Sequence, residues 1–139
     1  MFDRTAKITE SFDADPYAAS QGMELGEITD SSVTVSMSIR EDHVNFLGGT
    51  HGGVVFSLAD CAFALASNAY PEEAVAIDTH LAITAPTDVC DTITAITAEV
   101  TRGRSLATYR VDITRDDGRT VGLFTGTVYI KRRKKTDNE

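Results

Sequence analysis

Residues 45–60 read NFLGGTHGGVVFSLAD. Two glycine pairs and a histidine lead directly into an apolar stretch, and one carboxylate, Asp60, lies inside that stretch. Residues 53–69 are rich in alanine and apolar on nearly every side of a helix. A helix without a clear polar face is normally surrounded by other structure. This segment therefore predicts one long central helix.

Strands are predicted on both sides of this helix. Before it, SSVTVSMSIR (31–40) alternates apolar and polar side chains, and residues 23–28 form a shorter candidate strand. After it, strand patterns occur at 74–84, 91–101, 105–114 and 120–130, with hairpin signals at Gly103 and at 116–118. The pattern predicts an α+β fold, a curved antiparallel sheet wrapped around one long helix.

Length and composition predict a single domain over residues 1–139. Residues 1–20 are expected to be a helical lead-in, in which Asp15 caps a helix that starts at Pro16. Residues 131–139 begin with KRRKK and form a basic tail. The two cysteines, Cys61 and Cys90, are expected to be reduced and buried.

Charge and hydropathy exclude several classes of partner. The net charge is −8, and an acidic body argues against nucleic-acid binding. The N-terminus lacks the apolar core of a signal peptide, and no apolar run reaches the ~20 residues that span a bilayer. We therefore expect a cytoplasmic protein without a membrane partner.

The glycines and Asp60 each have two interpretations. Glycines at a helix start leave backbone N–H groups open to a carbonyl oxygen or oxyanion, or they only form a tight loop. A carboxylate in an apolar helix is a candidate functional group, or it faces a solvent gap or bonds to a strand. Gly53 and Asp60 lie ~10 Å apart along a helix, so one chain cannot place both on one carbonyl. Two antiparallel copies of the helix could do so.

Residues 43–69, HVNFLGGTHGGVVFSLADCAFALASNA, strongly resemble the PaaI-like acyl-CoA thioesterases of the hotdog-fold superfamily. Those proteins carry an asparagine loop, then H-G-G, then an acid eight residues beyond the first glycine. The resemblance runs from about residue 20 to residue 130 and includes TAPT (84–87) and the RGRS hairpin (102–105).

The resemblance implies a hotdog fold, a homodimer with a continuous sheet and shared active sites, and often a tetramer. It implies hydrolysis of an acyl-CoA to a carboxylic acid and free CoA. Gly52 N–H would hold the thioester carbonyl, and Asp60 of the partner chain would attack it or activate a water. Asn45 would position that water or the carbonyl, and His51 would orient the loop and help to polarise the carbonyl.

Further residues are expected to contact the acyl-CoA substrate. They are Gly53, Thr79, Thr87, Arg102, Gly103, Arg104 and Ser105. Some relatives place a serine on the strand after the helix, and Thr79 is the substitute here. No metal and no cofactor are expected, because CoA is part of the substrate. Phe46, Leu47, Phe56 and Phe63 are candidates for shaping the acyl pocket, and the KRRKK tail is either a solvated end or an anchor for CoA phosphates.

Two rival functions remain open from the sequence. A hotdog dehydratase acting on 3-hydroxyacyl thioesters would pair a histidine with an acid, as His51 and Asp60 could. A non-catalytic acyl-CoA sensor would bind the same ligand without needing the carboxylate of Asp60.

Overall fold

The computed structural model describes residues 1–132, which fold around one antiparallel sheet. The helices are α1 (Arg4–Asp13), α2 (Pro16–Ser20) and α3 (Gly52–Ser67). The strands are β1 (Glu24–Ile28), β2 (Val33–Ser38), β3 (Ala74–Ile83), β4 (Thr92–Arg102), β5 (Leu106–Arg115) and β6 (Thr120–Ile130). They are ordered β1-β2-β4-β5-β6-β3, and every neighbouring pair is antiparallel.

The predicted α+β fold is confirmed, with a curved six-stranded sheet packed against the long helix α3. β4, β5 and β6 form a meander, and β3 returns to the outside of β6 as an edge strand. Gly118, at the turn between β5 and β6, has φ of +85°, a conformation that glycine adopts without strain. The hairpin predicted at residues 116–118 is therefore confirmed.

The helical lead-in also follows the local capping signals. The side chain of Asp15 accepts a hydrogen bond from Ala18 N–H at 3.0 Å, and Pro16 is the first residue of α2. Asp3 caps α1 in the same way, through Ala6 N–H. None of the helices within residues 1–132 is long and apolar enough to cross a membrane.

The core lies between α3 and the inward face of the sheet. Phe63 of α3 packs against Tyr109 and Phe124, with ring centroids 5.9 Å and 5.3 Å away. The inward residues of β2, β4, β5 and β6 complete this layer, and most of them are β-branched. Because Phe63 is buried at the centre of the core, it does not shape a substrate pocket, and that expectation was wrong.

Gly126 of β6 makes room for the Phe63 ring. A Cβ at this position would lie 2.7 Å from Phe63 Cζ, inside the closest approach that carbon atoms tolerate. We expect Gly126→Ala to lower the free energy of unfolding by about 1–3 kcal/mol through overpacking. Gly49→Ala is the matched control, since a Cβ there meets nothing within 4 Å. Equal denaturant midpoints for the two variants would contradict this packing.

One side of α3 is left partly accessible by the part of the chain that the structure describes. Nine of its sixteen residues are buried, but Gly53, Ser57, Asp60 and Ala64 remain accessible. Their spacing of four, three and four residues places them in one stripe along the helix. The sequence predicted apolar surroundings on nearly all sides, whereas the structure leaves this stripe open.

The two cysteines differ in their surroundings. Cys61 is buried on α3, and burial raises the pKa of its thiol to about 12. Cys90 is exposed in the loop before β4, so the expectation that both thiols are buried was wrong for Cys90. Its backbone has φ of +76°, and its N–H is held by Ile39 O at 2.9 Å. The turn therefore exposes this side chain.

Candidate active site at the start of helix α3

The loop before α3 is closed at its base by backbone hydrogen bonds. His51 N–H donates to His43 O at 2.8 Å, and Val44 and Thr50 face each other as an antiparallel bridge. The ring of His43 is buried, and its Nδ1 accepts Arg40 N–H at 2.9 Å. These bonds therefore hold the two ends of the loop between residues 44 and 50 in place.

His51 caps the helix with its side chain. Its Nδ1 accepts the N–H of Gly53 at 2.9 Å, and its backbone is extended, as the residue before a helix usually is. The hydrogen bond makes Nδ1 the acceptor, so the neutral ring carries its proton on Nε2. The side chain of His51 therefore occupies the amide of Gly53, and its expected role in orienting the loop stays a prediction.

Gly52 carries the open amide of the helix start. Its N–H forms no hydrogen bond with any group in residues 1–132. The N–H of Gly53 is satisfied by His51, and Val54 N–H donates to His51 O at 2.9 Å. The donor available to a carbonyl oxygen is thus that of Gly52, at the positive end of the helix dipole.

Asn45 lines a cleft together with Gly52, and the oxygen of its side chain is already hydrogen-bonded. Its Oδ1 accepts Leu47 N–H at 2.9 Å, and its backbone N–H donates to Gly49 O at 2.7 Å. Its Nδ2 has no acceptor among the described residues, so the side chain can donate to a water or a carbonyl oxygen. Phe46 and Leu47, at the tip of this loop, are 96% and 80% exposed.

These groups meet in a cleft of about 320 Å³. Asn45, Gly52 and Thr87 all line it, although Thr87 lies 35 residues beyond Gly52 in the chain. Thr50 connects the loop before α3 to the segment that contains Thr87, because its hydroxyl donates a hydrogen bond to Thr87 O at 2.8 Å. The remaining wall is mostly apolar, and it includes Val55, Ile83, Ala85 and Pro86. The cleft combines an apolar wall with few polar groups, as ligand sites usually do.

Asp60 does not line this cleft. It lies eight residues beyond Gly52 on α3, about 12 Å along the helix axis. The carboxylate is partly buried and accepts no hydrogen bond from residues 1–132, so it is not held by a neighbouring strand. Burial, and secondly the carboxylate of Asp15, raise the pKa of Asp60. A poorly solvated, unpaired carboxylate is a stronger base than an exposed one.

The other predicted contact residues lie elsewhere. Thr79 is exposed on the edge strand β3, opposite Gly126 of β6. Gly103, Arg104 and Ser105 form the β4–β5 hairpin, and Gly103 N–H donates to Leu106 O at 2.8 Å. Arg102 is held inside the fold, because its Nη1 donates to Ser67 O at 3.3 Å and to the hydroxyl of Tyr109 at 3.0 Å.

Comparison with known proteins identifies the family. The family model described as the thioesterase superfamily matches residues 47–122, which include the start of α3, Asp60 and strands β3, β4 and β5. The chain belongs to the thioesterase superfamily. This membership supports hydrolase activity, and the resemblance read from H-G-G and Asp60 is confirmed.

Several relatives of this thioesterase-superfamily chain cover most of its length. The acyl-coenzyme A thioesterase PaaI of Escherichia coli is 30% identical over 115 residues, 83% of this chain and 82% of that protein. A relative from Deinococcus radiodurans, described only as a candidate esterase, is 37% identical over 120 residues, 86% of this chain and 80% of that protein. The solved structure of the Escherichia coli PaaI protein, from the phenylacetic acid degradation operon, aligns with a TM-score of 0.90 at 27% identity and covers 96% of each chain.

Some features of this candidate site had no signal in the sequence. The position of Asp15 near Asp60 depends on how α2 lies against α3, where Tyr17 and Ser57 share a hydrogen bond of 2.8 Å between their hydroxyls. Ile83 and Val55 line the cleft only because β3 and α3 pack together. Such contacts join residues that are distant in the chain, so no local pattern predicts them.

The capping bond of His51 can be tested through stability. We expect His51→Ala to lower the free energy of unfolding by about 1 kcal/mol, since a helix start loses its side-chain acceptor. His51→Asn keeps an acceptor at the cap and should recover most of that loss. Urea unfolding of the three proteins measures the effect. An alanine variant as stable as the wild type would contradict the capping role.

Proposed function

We propose that the protein is an acyl-CoA thioesterase that works as a homodimer with two shared reaction centres. The observation that carries this proposal is the placement of two complementary groups on one helix. The open N–H of Gly52 lies in the cleft with Asn45, and Asp60 lies on the uncovered stripe of the same helix, too far away to serve the same cleft. Neither group meets its counterpart among residues 1–132.

An antiparallel partner helix supplies the missing counterpart. The uncovered stripe of Gly53, Ser57, Asp60 and Ala64 has small side chains apart from Asp60, so a second α3 can approach it closely. A two-fold axis beside this stripe places Asp60 of the partner subunit near Gly52 and creates the same arrangement at the symmetry-related site. Burial of the stripe would also remove water from the carboxylate.

The sheet edge supports the same dimer. β3 pairs only with β6 among the described strands, and residues 75–80 are all exposed, including Val75 and Ile77. A long edge strand with exposed apolar side chains is a template for pairing with another chain. Two copies of β3 pairing across the two-fold axis would give a continuous sheet. A tetramer built from two such dimers is part of the proposal.

The chemistry follows from the polarity of a thioester. Gly52 N–H binds the carbonyl oxygen, which gains negative charge when the carbonyl carbon is attacked. The nucleophile is a water whose proton passes to Asp60 of the partner subunit, or the carboxylate oxygen itself, which forms an anhydride that water then hydrolyses. In either case the carbon–sulfur bond breaks, the sulfur leaves as the CoA thiolate and takes up a proton, and the acyl group becomes a carboxylic acid.

The cleft suggests where the acyl group lies. Its wall of Val55, Ile83, Ala85 and Pro86 is apolar, and Asn45 and Thr87 stand at its polar side. A compact apolar acyl group suits this lining, while the rest of CoA stays outside. The proposal includes no metal and no separate cofactor, because CoA enters as part of the substrate. The cytoplasmic location expected from the sequence stays a prediction.

The rival functions receive less support. A dehydratase would need the ring of His51 as a partner of the acid, but its Nδ1 already accepts Gly53 N–H at the start of α3. A binding module would gain nothing from an unpaired carboxylate with a raised pKa on its dimer face. Both rivals are outcomes of the test that follows.

The test is the release of free thiol from a panel of acyl-CoAs by the wild-type protein and by Asp60→Ala. We expect thiol release by the wild type and its loss in the variant. Addition or removal of water without thiol release would indicate the dehydratase. Binding of acyl-CoA without any turnover would indicate the sensor, and either result would overturn the proposal.

Asp15 provides a test of the pH dependence. Its charge helps to raise the pKa of Asp60, and Asp60 acts in its ionised form. Asp15→Asn keeps an oxygen to cap α2 and removes the charge, so the acidic limb of kcat/KM should move to lower pH. Glu10→Gln, on the exposed side of α1, is a control with the same loss of charge. Superimposable profiles for Asp15→Asn and the wild type would contradict this coupling.

A further inference from the structure

A short irregular segment forms one wall of the cleft beside Gly52. It comprises residues 84–88, with the sequence TAPTD, and it follows the last residue of β3. Residues 85–88 of this wall segment all line the cleft. Because the wall segment belongs to no strand, the hydrogen-bond ladder of the sheet does not hold it. Other bonds must therefore fix its distance from the start of α3.

Bonds at both ends attach the wall segment to the rest of the fold. Thr84 N–H donates a hydrogen bond to Val121 O of β6 at 2.9 Å. The hydroxyl of Thr50, in the loop before α3, donates to Thr87 O at 2.8 Å. These two bonds leave the middle of the segment, at Pro86, to a third donor.

Arg115 of the β5–β6 hairpin is that third donor. It is the last residue of β5, and its Nη1 donates to Pro86 O at 2.8 Å, across 29 positions in the chain. Pro86 has no N–H, and no other hydrogen bond reaches the backbone of Ala85 or Pro86 within residues 1–132. A charged donor makes a stronger bond than a neutral one. One side chain from a distant strand therefore holds the middle of the wall segment.

The guanidinium of Arg115 is itself held in one orientation by Asp117. Its Nε donates to Oδ1 at 3.0 Å and its Nη2 to Oδ2 at 2.7 Å, and this paired contact leaves Nη1 for Pro86 O. The hydrogen bonds from Arg115, and secondly from Arg119 N–H, lower the pKa of Asp117 to about 2. The carboxylate is therefore ionised at neutral pH. The Arg115 side chain is only 18% exposed, so little space remains for another orientation.

We infer that Arg115 is a positioning residue for the acyl group, because it holds Pro86 and the wall segment at a fixed distance from Gly52. The inference rests on the proposed function, in which the acyl group occupies this cleft. Without the bond from Arg115, the middle of the wall segment can move outward and the cleft widens. The groups proposed to act on the thioester, Gly52 N–H and Asp60, lie on α3 and keep their places.

A wider cleft would change substrate selection more than turnover. A compact acyl group would lose close contact with the wall, and a longer acyl group would be accepted more readily. In a fitted apolar pocket, one methylene group changes kcat/KM by about 10-fold or more. The bond between Arg115 and Pro86 therefore contributes to the choice of acyl length.

The experiment measures kcat and KM for straight-chain acyl-CoAs of increasing length. For Arg115→Ala, we expect KM for the best wild-type substrate to rise by about 3- to 10-fold, with kcat changed by less than about 2-fold. The preference in kcat/KM for that substrate over one two carbons longer should fall by at least about 3-fold. Arg115→Lys keeps a charged donor of similar reach and should recover part of both losses. All variants keep the complete chain, including residues 133–139 of the predicted basic tail, which lie outside the described part of the chain.

Matched variants in the same hairpin separate positioning from loss of charge. Arg119→Ala removes the same charge from an exposed side chain that forms no ion pair within residues 1–132, and it should leave KM and the length preference unchanged. Asp117→Ala frees the guanidinium of Arg115 without removing it, and it should shift both quantities in the same direction as Arg115→Ala. Asp116→Ala is the control for that variant, because Asp116 is exposed and loses the same charge. Asp117 is also exposed, so its variant tests the inference even if Arg115→Ala fails to fold.

Two results would overturn the inference. The first is a wild-type KM and length preference in Arg115→Ala and Asp117→Ala. The second is an equal fall in kcat for every acyl length with KM unchanged, since that result would assign Arg115 to the fold as a whole. Failure of the proposed function differs from both, because the wild-type protein would then release no thiol. In that case, dissociation constants of non-hydrolysable thioether analogues would still show whether Arg115 controls acyl length.

Discussion

Asp60→Asn is expected to lower kcat for acyl-CoA hydrolysis by about 10²–10⁴-fold, the usual contribution of a positioned general base. The substitution keeps the size of the side chain and removes its ability to take a proton or to attack a carbonyl carbon. KM should change little, because the cleft at the start of α3 is untouched. Initial rates of thiol release with saturating acyl-CoA measure the effect. A variant within 5-fold of the wild type would show that Asp60 does not act in the reaction.

The same substitution should make the folded chain more stable at neutral pH. The pKa of Asp60 is raised in the fold, chiefly by burial, so the folded state favours the protonated carboxyl. The stabilisation from this group is complete at low pH and is lost as the pH rises through the folded-state pKa. Asparagine does not ionise, so the variant does not lose stability through this group as the pH rises. Denaturation of the variant and the wild type at pH 7 and at pH 4 should show the gain at pH 7 and little difference at pH 4.

Opposite changes in activity and stability would distinguish a functional carboxylate from a structural one. If Asp60 held the fold together, its replacement would lower both quantities. Ala64→Ser is a suitable control, because Ala64 lies on the same uncovered stripe and carries no charge. It should leave kcat and the free energy of unfolding nearly unchanged.

Gly52→Pro is expected to lower kcat by about 10²–10³-fold while the helix still forms, because proline removes the one open N–H. Gly52 is the first residue of α3, a position that proline accepts readily. The preceding residue, His51, has φ of −63° and ψ of 132°, which is the extended conformation that proline requires before it. The loss should therefore appear in turnover rather than in folding.

Gly52→Ala is the matched control for this experiment. A Cβ at residue 52 lies 3.1 Å from the terminal methyl group of Ile83, which can move by a few tenths of an ångström. Alanine adds the same Cβ as proline and keeps the N–H, so only proline removes the donor. Similar rates for the two variants would mean that crowding, and not the hydrogen bond, limits the reaction. Circular dichroism at 222 nm checks that α3 remains in both.

The sequence by itself determined the elements of this fold. The apolar run after His51, the alternation in each strand and the turn signals at Gly103 and Gly118 gave the long helix, the strand order along the chain and the hairpins. These features depend on hydrophobic periodicity and turn chemistry, which are properties of short segments. The same local signals marked the glycines at the helix start and Asp60 as candidates, and Asn45 was added by the resemblance to the PaaI-like thioesterases.

Only the tertiary structure decided which atoms of these residues are available. The His51 ring occupies Gly53 N–H and leaves Gly52 N–H open, and Asn45 uses its Oδ1 on its own loop. The guanidinium of Arg102 donates hydrogen bonds to Ser67 O and the Tyr109 hydroxyl and lies over the ring of Tyr70. Arg104, in contrast, is exposed. Hydrogen bonds and packing between distant segments determine which atoms remain available. A polar group that is hydrogen-bonded inside the fold is no longer free for a ligand.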